Sequence, residues 1–361
     1  MLALVFLACH ADPVETGAPA EEEDLLTVLT EPGPYAVGYR ESELSYPDPA
    51  TDGATERTLR LALWYPTPDT TGDEVRYMGA FEAPGVLGDA SVAEGAFPLV
   101  VFSHGHQGYA ENSSFLMVHL ASHGFVAVAP DHTDNTVFDG SERHTSIYYQ
   151  RPLDLSAVLD HLEQGGEPTL DGHISDDPIT LFGHSFGGYT AFAAGGAAYD
   201  TEAIDAGCQD GTGNSSLCSD WSEEALARFQ EGFLDERFAS IAPMAPGDQD
   251  LFGAGAAEVD VPVFLMNGDL DGATTGSGDP YWASVNRGPD RRLVIAGGAH
   301  DVFTDFSGLL DPVPGEIEPE EGFRIVDAYG LAWAWRTLGD ERAASVLDGE
   351  IEVSAAAQLS P

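Results

Sequence analysis

A chain of 361 residues with 43% hydrophobic side chains can build one large core, provided insertions account for the extra length. Its basic residues number 14, all arginine with no lysine, against 61 acidic ones, a formal charge of −47. Such a surface argues against nucleic acid or anionic headgroups as partners and reads as a solubility or high-salt adaptation.

Residues 1–8 are a short apolar leader, and no later run is long enough to span a membrane. Leu7-Ala8-Cys9, followed by an acidic, Pro-rich stretch, resembles the lipobox of a bacterial lipoprotein. That resemblance implies a lipidated Cys9 tethering an exported protein to the cell envelope, or secretion. Residues 9–33, with Glu21-Glu22-Glu23-Asp24, predict a disordered acidic tether ahead of a domain over 34–361. Cys208 and Cys218 lie ten residues apart in a Gly/Asn/Ser-rich stretch, and pairing them implies an oxidising compartment.

Alternating apolar residues over 35–44 and 57–65 predict the first antiparallel strands, the second stopping at Pro66. Residues 67–96, rich in Gly, Asp, Thr and Pro, predict a surface loop. A buried strand over 97–102 runs into Ser103-His104-Gly105-His106-Gln107-Gly108, then a helix over 111–123 and a strand over 125–129. A long loop over 131–149 precedes a helix over 151–163, with Leu155, Val158, Leu159 and Leu162 on one face. An apolar run over 179–182 enters Gly183-His184-Ser185-Phe186-Gly187, and a small-residue helix follows. An insertion over about 200–237 holds the cysteine pair and a helix near 221–231. Strands over 238–244, 261–266 and 292–296 and a closing helix over 321–338 complete the pattern. Strands alternating with helices predict an α/β fold, a mostly parallel central sheet covered by helices on both faces.

The chemistry centres on Ser185. With 41 glycines in the chain, the G-x-S-x-G pattern is weak alone, but strand, sharp turn and helix are the setting a nucleophile elbow needs. Tight turning requires glycine at 183 and 187, and lifts the hydroxyl beside a helix N-terminus. A serine nucleophile needs a base and an orienting carboxylate. His300 follows the strand at 292–296 in a Gly-rich loop. Asp271, or alternatively Asp269, follows the strand at 261–266. The N–H groups of Phe186 and His106 are the expected oxyanion donors. Two metal readings compete. Asp269, Asp271 and Asp279 are a candidate calcium set without the spacing of a twelve-residue calcium loop. His104 and His106 are a candidate zinc pair without a third ligand at metallohydrolase spacing. No metal or cofactor is expected.

Phe102-Ser103-His104-Gly105, the segment Leu120-Ala121-Ser122-His123-Gly124-Phe125-Val126, and Gly183-His184-Ser185-Phe186-Gly187-Gly188 resemble the platelet-activating-factor acetylhydrolase branch of the α/β-hydrolases. Pro130-Asp131-His132-Thr133-Asp134-Asn135-Thr136 and the stretch from Arg151 to Asp160 are similar to bacterial predicted dienelactone hydrolases. The resemblance covers roughly residues 55–338 and implies the α/β-hydrolase fold. By position it implies Ser185 as nucleophile, Asp271 as acid, His300 as base, and His106 and Phe186 as oxyanion donors. True dienelactone hydrolases use cysteine where this chain has Ser185, so dienelactone itself is not implied. Arg151 and Asp154 are expected to form a structural ion pair.

The expected function is a serine esterase acting on a small, uncharged or zwitterionic short-acyl ester. A neutral His300 is needed as base, so activity is expected to rise from about pH 6 to 8. Tyr109, Tyr148, Tyr149 and Trp282 are candidates for an apolar cleft, or equally for core and rim packing. A polyester depolymerase, an acyltransferase, and a non-catalytic binding protein on the same fold are the alternatives.

Overall fold

The computed structural model describes residues 24–360, apart from 141, 275, 286 and 310–312. The leader, Cys9 and most of the expected tether lie outside the described residues. Eleven strands in one sheet are described: β1 (Ala36–Pro47), β2 (Glu56–Thr67), β3 (Glu74–Tyr77), β4 (Phe81–Gly88), β5 (Leu99–Ser103), β6 (Val126–Pro130), β7 (Ile179–His184), β8 (Phe238–Met244), β9 (Phe264–Gly268), β10 (Arg291–Ile295) and β11 (Ala357–Ser360). Their spatial order is β11-β10-β9-β8-β7-β5-β6-β2-β1-β4-β3. From β10 to β6 every neighbouring pair is parallel, and the antiparallel pairs lie toward the edges. Strand order reverses at β5, which pairs with β6 on one side and β7 on the other. The crevice beyond the C-terminal ends of β5 and β7 is therefore where such a sheet binds ligands.

The helices are α1 (Leu25–Thr30), α2 (Ser114–Ser122), α3 (Thr145–Glu163), α4 (Phe186–Ala194), α5 (Thr201–Asp210), α6 (Glu223–Glu231), α7 (Gly278–Val285), α8 (Pro319–Thr337) and α9 (Arg342–Leu347). Alternate residues of each central strand feed opposite cores. Val101 and Leu181 pack with Leu155, Phe192 and Tyr281 of α3, α4 and α7. Val100, Phe102 and Phe182 pack with Leu116, Tyr329 and Trp333 of α2 and α8. Both faces being covered explains why β5 is buried along its whole length.

Several stretches differ from the sequence reading. Residues 24–33 are docked onto the domain instead of belonging to a tether. Leu29 of α1 is fully buried, and His119 of α2 and His123 just past its end donate to the Leu29 and Glu31 carbonyls at 3.0 and 3.1 Å. The stretch read as a loop contains β3 and β4, the latter parallel to β1. Pro84, Gly85 and Gly88 gave it a loop composition, and only Ala83, Val86 and Leu87 of β4 are buried. Helix α3 begins at Thr145, ahead of the expected start, and carries Pro152 in its interior. A proline there cannot bond the carbonyl four residues back. The Tyr189 hydroxyl of α4 donates to that Tyr148 carbonyl instead, at 3.0 Å. The insertion holds α5 as well as α6, and its Cys208 and Cys218 form a disulfide with Cα atoms 5.1 Å apart.

Candidate active site

Two glycines let the elbow turn. A Cβ on Gly183 would lie 2.2 Å from the Gly187 carbonyl oxygen, and one on Gly187 would lie 1.9 Å from that of Ser103. Between them Ser185 adopts φ 55° and ψ −114°, a region non-glycine residues avoid, which costs on the order of 1–3 kcal/mol. Its N–H donates to the Met244 carbonyl of β8 at 2.8 Å, and its own carbonyl accepts from Gly188 at 2.9 Å. Ser185 is partly exposed between buried neighbours. It caps α4, whose first N–H groups, Phe186 among them, lie where helix geometry supplies no intrahelical acceptor.

His300 opens the turn after β10, and its Nδ1 lies 3.0 Å from Asp271 Oδ2. Asp271 follows β9, and its Oδ1 accepts from the Ala273 and Thr274 N–H groups at 2.8 and 3.0 Å. Its Oδ2 accepts from Thr274 Oγ1 at 2.6 Å. Burial raises the Asp271 pKa, but the bond and charge of His300 and the Thr274 donors outweigh it. The carboxyl is held well below the usual carboxylate range. Asp269 is occupied elsewhere: its Oδ1 accepts from the Gly297 N–H at 2.7 Å and ties the two loops together.

His184, beside Ser185, was not singled out from sequence. Its Nε2 donates to the His300 carbonyl at 3.1 Å, and the two rings lie 4.7 Å apart. Burial, and then the neighbouring His300, bring His184 down to about 3, so it is neutral. Only the position before the elbow serine signals it.

The metal readings lose their donors. His104 donates from Nδ1 to the Gly105 carbonyl at 2.7 Å and accepts at Nε2 from the His132 N–H at 3.0 Å. Asp279 pairs with Arg292 at 2.7 Å. Among the described residues no group of three or more His, Cys, Asp or Glu side chains is arranged to hold a metal ion.

The expected Arg151–Asp154 ion pair does not form. Asp154 takes four donors from elsewhere: Tyr46 Oη at 2.6 Å, Arg57 Nε and Nη2 at 2.7 and 3.0 Å, and His132 Nδ1 at 2.8 Å. Arg151 instead turns toward the loop after β5 and lays its guanidinium 4.8 Å from the Phe186 ring centroid. The two residues are three apart on α3, but the sheet beneath supplies Asp154 with a better-placed arginine.

Among the expected cleft aromatics, Tyr148 is fully buried and meets Phe186 edge-on at 5.0 Å, while Tyr149 packs against Phe229. Trp282 is half-buried against the core on the α3 side. Tyr109 stacks on the exposed Phe81 and, with Phe306, walls a groove of about 480 Å³.

A solved structure, the ferulic acid esterase from Streptomyces cinnamoneus, superposes with a TM-score of 0.60 at 19% identity. The match covers 86% of this chain and 93% of that one. This is an α/β-hydrolase fold. The chlorophyllase family model matches residues 83–204. Chlorophyllase-2 of Arabidopsis thaliana is 33% identical over 28% of this chain, a segment spanning 30% of that protein. Platelet-activating factor acetylhydrolase of Cavia porcellus is 23% identical over 85% of this chain and 77% of its own length. Together these relatives support an α/β-hydrolase that acts on carboxylic esters.

Proposed function

We propose that the chain hydrolyses small carboxylic esters with short acyl groups through a Ser185–His300–Asp271 triad. The observation that carries this reading is the strained, partly exposed Ser185 at the β7–α4 elbow, with the His300–Asp271 pair on the loops after β10 and β9. Ser185 attacks the ester carbonyl while His300 takes the hydroxyl proton. Asp271, ionised at working pH, holds the imidazole by Nδ1 and stabilises the imidazolium that forms. The N–H groups of His106 and Phe186 receive the negative charge of the tetrahedral intermediate. His300 then gives its proton to the leaving alcohol. Water, deprotonated in turn by His300, releases the acid from the acyl-enzyme.

The −47 surface favours uncharged or zwitterionic esters over anionic ones. The Cys208–Cys218 disulfide supports export to an oxidising compartment, in keeping with Cys9 as a lipid tether. The test is a p-nitrophenyl ester panel from acetyl to palmitoyl with wild type and Ser185→Ala. Hydrolysis confined to short chains and lost in the variant is expected; equal rates in both proteins would remove the reading.

A further inference from the structure

The loop after β5 is held from behind by hydrogen bonds that run in only one direction. Arg151 is fully buried, and a guanidinium only donates. Its Nε donates to Thr190 Oγ1 at 3.1 Å, Nη1 to Asn135 Oδ1 at 2.8 Å, and Nη2 to Ser103 Oγ at 3.1 Å and to the His104 carbonyl. None of these acceptors is a carboxylate. Because Arg151 demands the oxygen of the buried Asn135 amide, the NH2 end faces His106, with Nδ2 and Nδ1 2.8 Å apart. His106 must therefore accept at Nδ1 and, when neutral, carry its proton on Nε2. The Asn135 carbonyl also accepts from the Gln107 N–H at 3.2 Å. One asparagine thus grips two consecutive residues of the loop, by side chain and by main chain.

We propose that Arg151 and Asn135 are positioning residues for the oxyanion loop. They hold the His104 carbonyl, the His106 ring and the Gln107 N–H, and so keep the His106 N–H aimed where the oxyanion develops. They also fix the His106 tautomer. This inference rests on the reading of His106 as an oxyanion donor. Its physical basis is that a donor contributes to the transition state only when it is already oriented, so a small displacement of the loop costs rate while leaving substrate binding intact.

The informative variant is Asn135→Asp. It keeps an oxygen for Arg151, and with it a buried ionic contact, but replaces the donor facing His106 by an acceptor. His106 must then place a proton on Nδ1. Two readouts are taken: kcat and KM on p-nitrophenyl acetate, and the ¹⁵N spectrum of histidine-labelled protein, with His106→Gln giving the assignment. The expected result is a fall in kcat of about tenfold or more, KM within about twofold, and Nδ1 of His106 changing from unprotonated to protonated. An unchanged kcat, a loss confined to KM, or an unprotonated Nδ1 in the variant would overturn the proposal. A wild-type spectrum with Nδ1 protonated would overturn it without any variant, which covers the case of a variant that does not fold. Fluorophosphonate labelling of wild type separates the two readings. A wild-type Ser185 that is not labelled removes the esterase itself. A labelled enzyme whose kcat ignores Asn135→Asp removes only the positioning role.

Discussion

Among the described residues a second Ser–His–Asp set lies inside the proposed one, and the two differ in almost everything except the residue types. In the inner one, Ser103 Oγ lies 2.9 Å from His132 Nε2, and His132 Nδ1 lies 2.8 Å from Asp154 Oδ2. Its histidine and aspartate side chains are wholly buried, and Ser103 ends a strand, also wholly buried. Burial, and then the charge of Arg151, bring His132 down to about 3, while Arg57 and His132 overcome burial to hold Asp154 near 2. The outer histidine, His300, keeps 19% of its side chain exposed, and Ser185 stands on a strained turn. Hydrogen-bond geometry alone therefore does not make a catalytic centre. On the proposed reading access and a hydroxyl lifted from the sheet decide, while the inner set ties the end of β5 to α3.

The sharpest way to break this comparison is to remove each serine. Ser185→Ala is expected to lower ester hydrolysis by about 10³-fold or more, whereas purified, folded Ser103→Ala keeps activity within about tenfold. Comparable losses in both would mean that the inner set is catalytic. Next come the carboxylates of the outer loops: Asp271→Asn is expected to reduce kcat by about 10³-fold or more, and Asp269→Asn by less than about tenfold. The reverse order in steady-state kinetics would move the acid to Asp269.

Asp154→Ala acts on the fold. It takes from the buried Arg57 guanidinium its nearer carboxylate and leaves it Asp134 at 3.3 Å, at a cost of about 3 kcal/mol, read as the shift of the urea midpoint at unchanged slope. A loss below about 1 kcal/mol would show that water compensates the arginine. The smallest effect is a proton count. His104, His119, His132 and His184 are all lowered in the fold by burial, so each contributes stability that is complete above the unfolded pKa and declines as pH falls. For the last three the decline runs from about 6.5 toward 3. The buried Asp305 and Asp327 carboxyls, raised by burial, hold protons and act in the opposite direction. Unfolding near pH 5.5 is thus expected to take up protons on balance, measured by calorimetry in buffers of different ionisation enthalpy. Net release would contradict neutral buried histidines.

Sequence made Ser185 and His300 legible because their signals are local: glycines around a turn, and a Gly-rich loop after an apolar run. The alternation of strands and helices carried the α/β architecture in the same way. The choice between Asp269 and Asp271 was open, since two carboxylates two residues apart differ only in where the loop aims them. The inner network was not legible. Asp154 meets Arg57, 97 positions away, because the fold brings α3 to the start of β2, whereas the expected partner was Arg151. Strands β3 and β4 were hidden by a loop-like composition, and α1 by its place at the end of an acidic stretch.

The backbone of Ser185 has a consequence for the history of such a chain. Glycine occupies positive φ without the steric conflict a serine meets. Replacing Ser185 by glycine therefore relieves strain at the elbow, so a change that removes the proposed nucleophile eases the fold. A lineage released from selection for that activity would drift downhill in free energy at this one position.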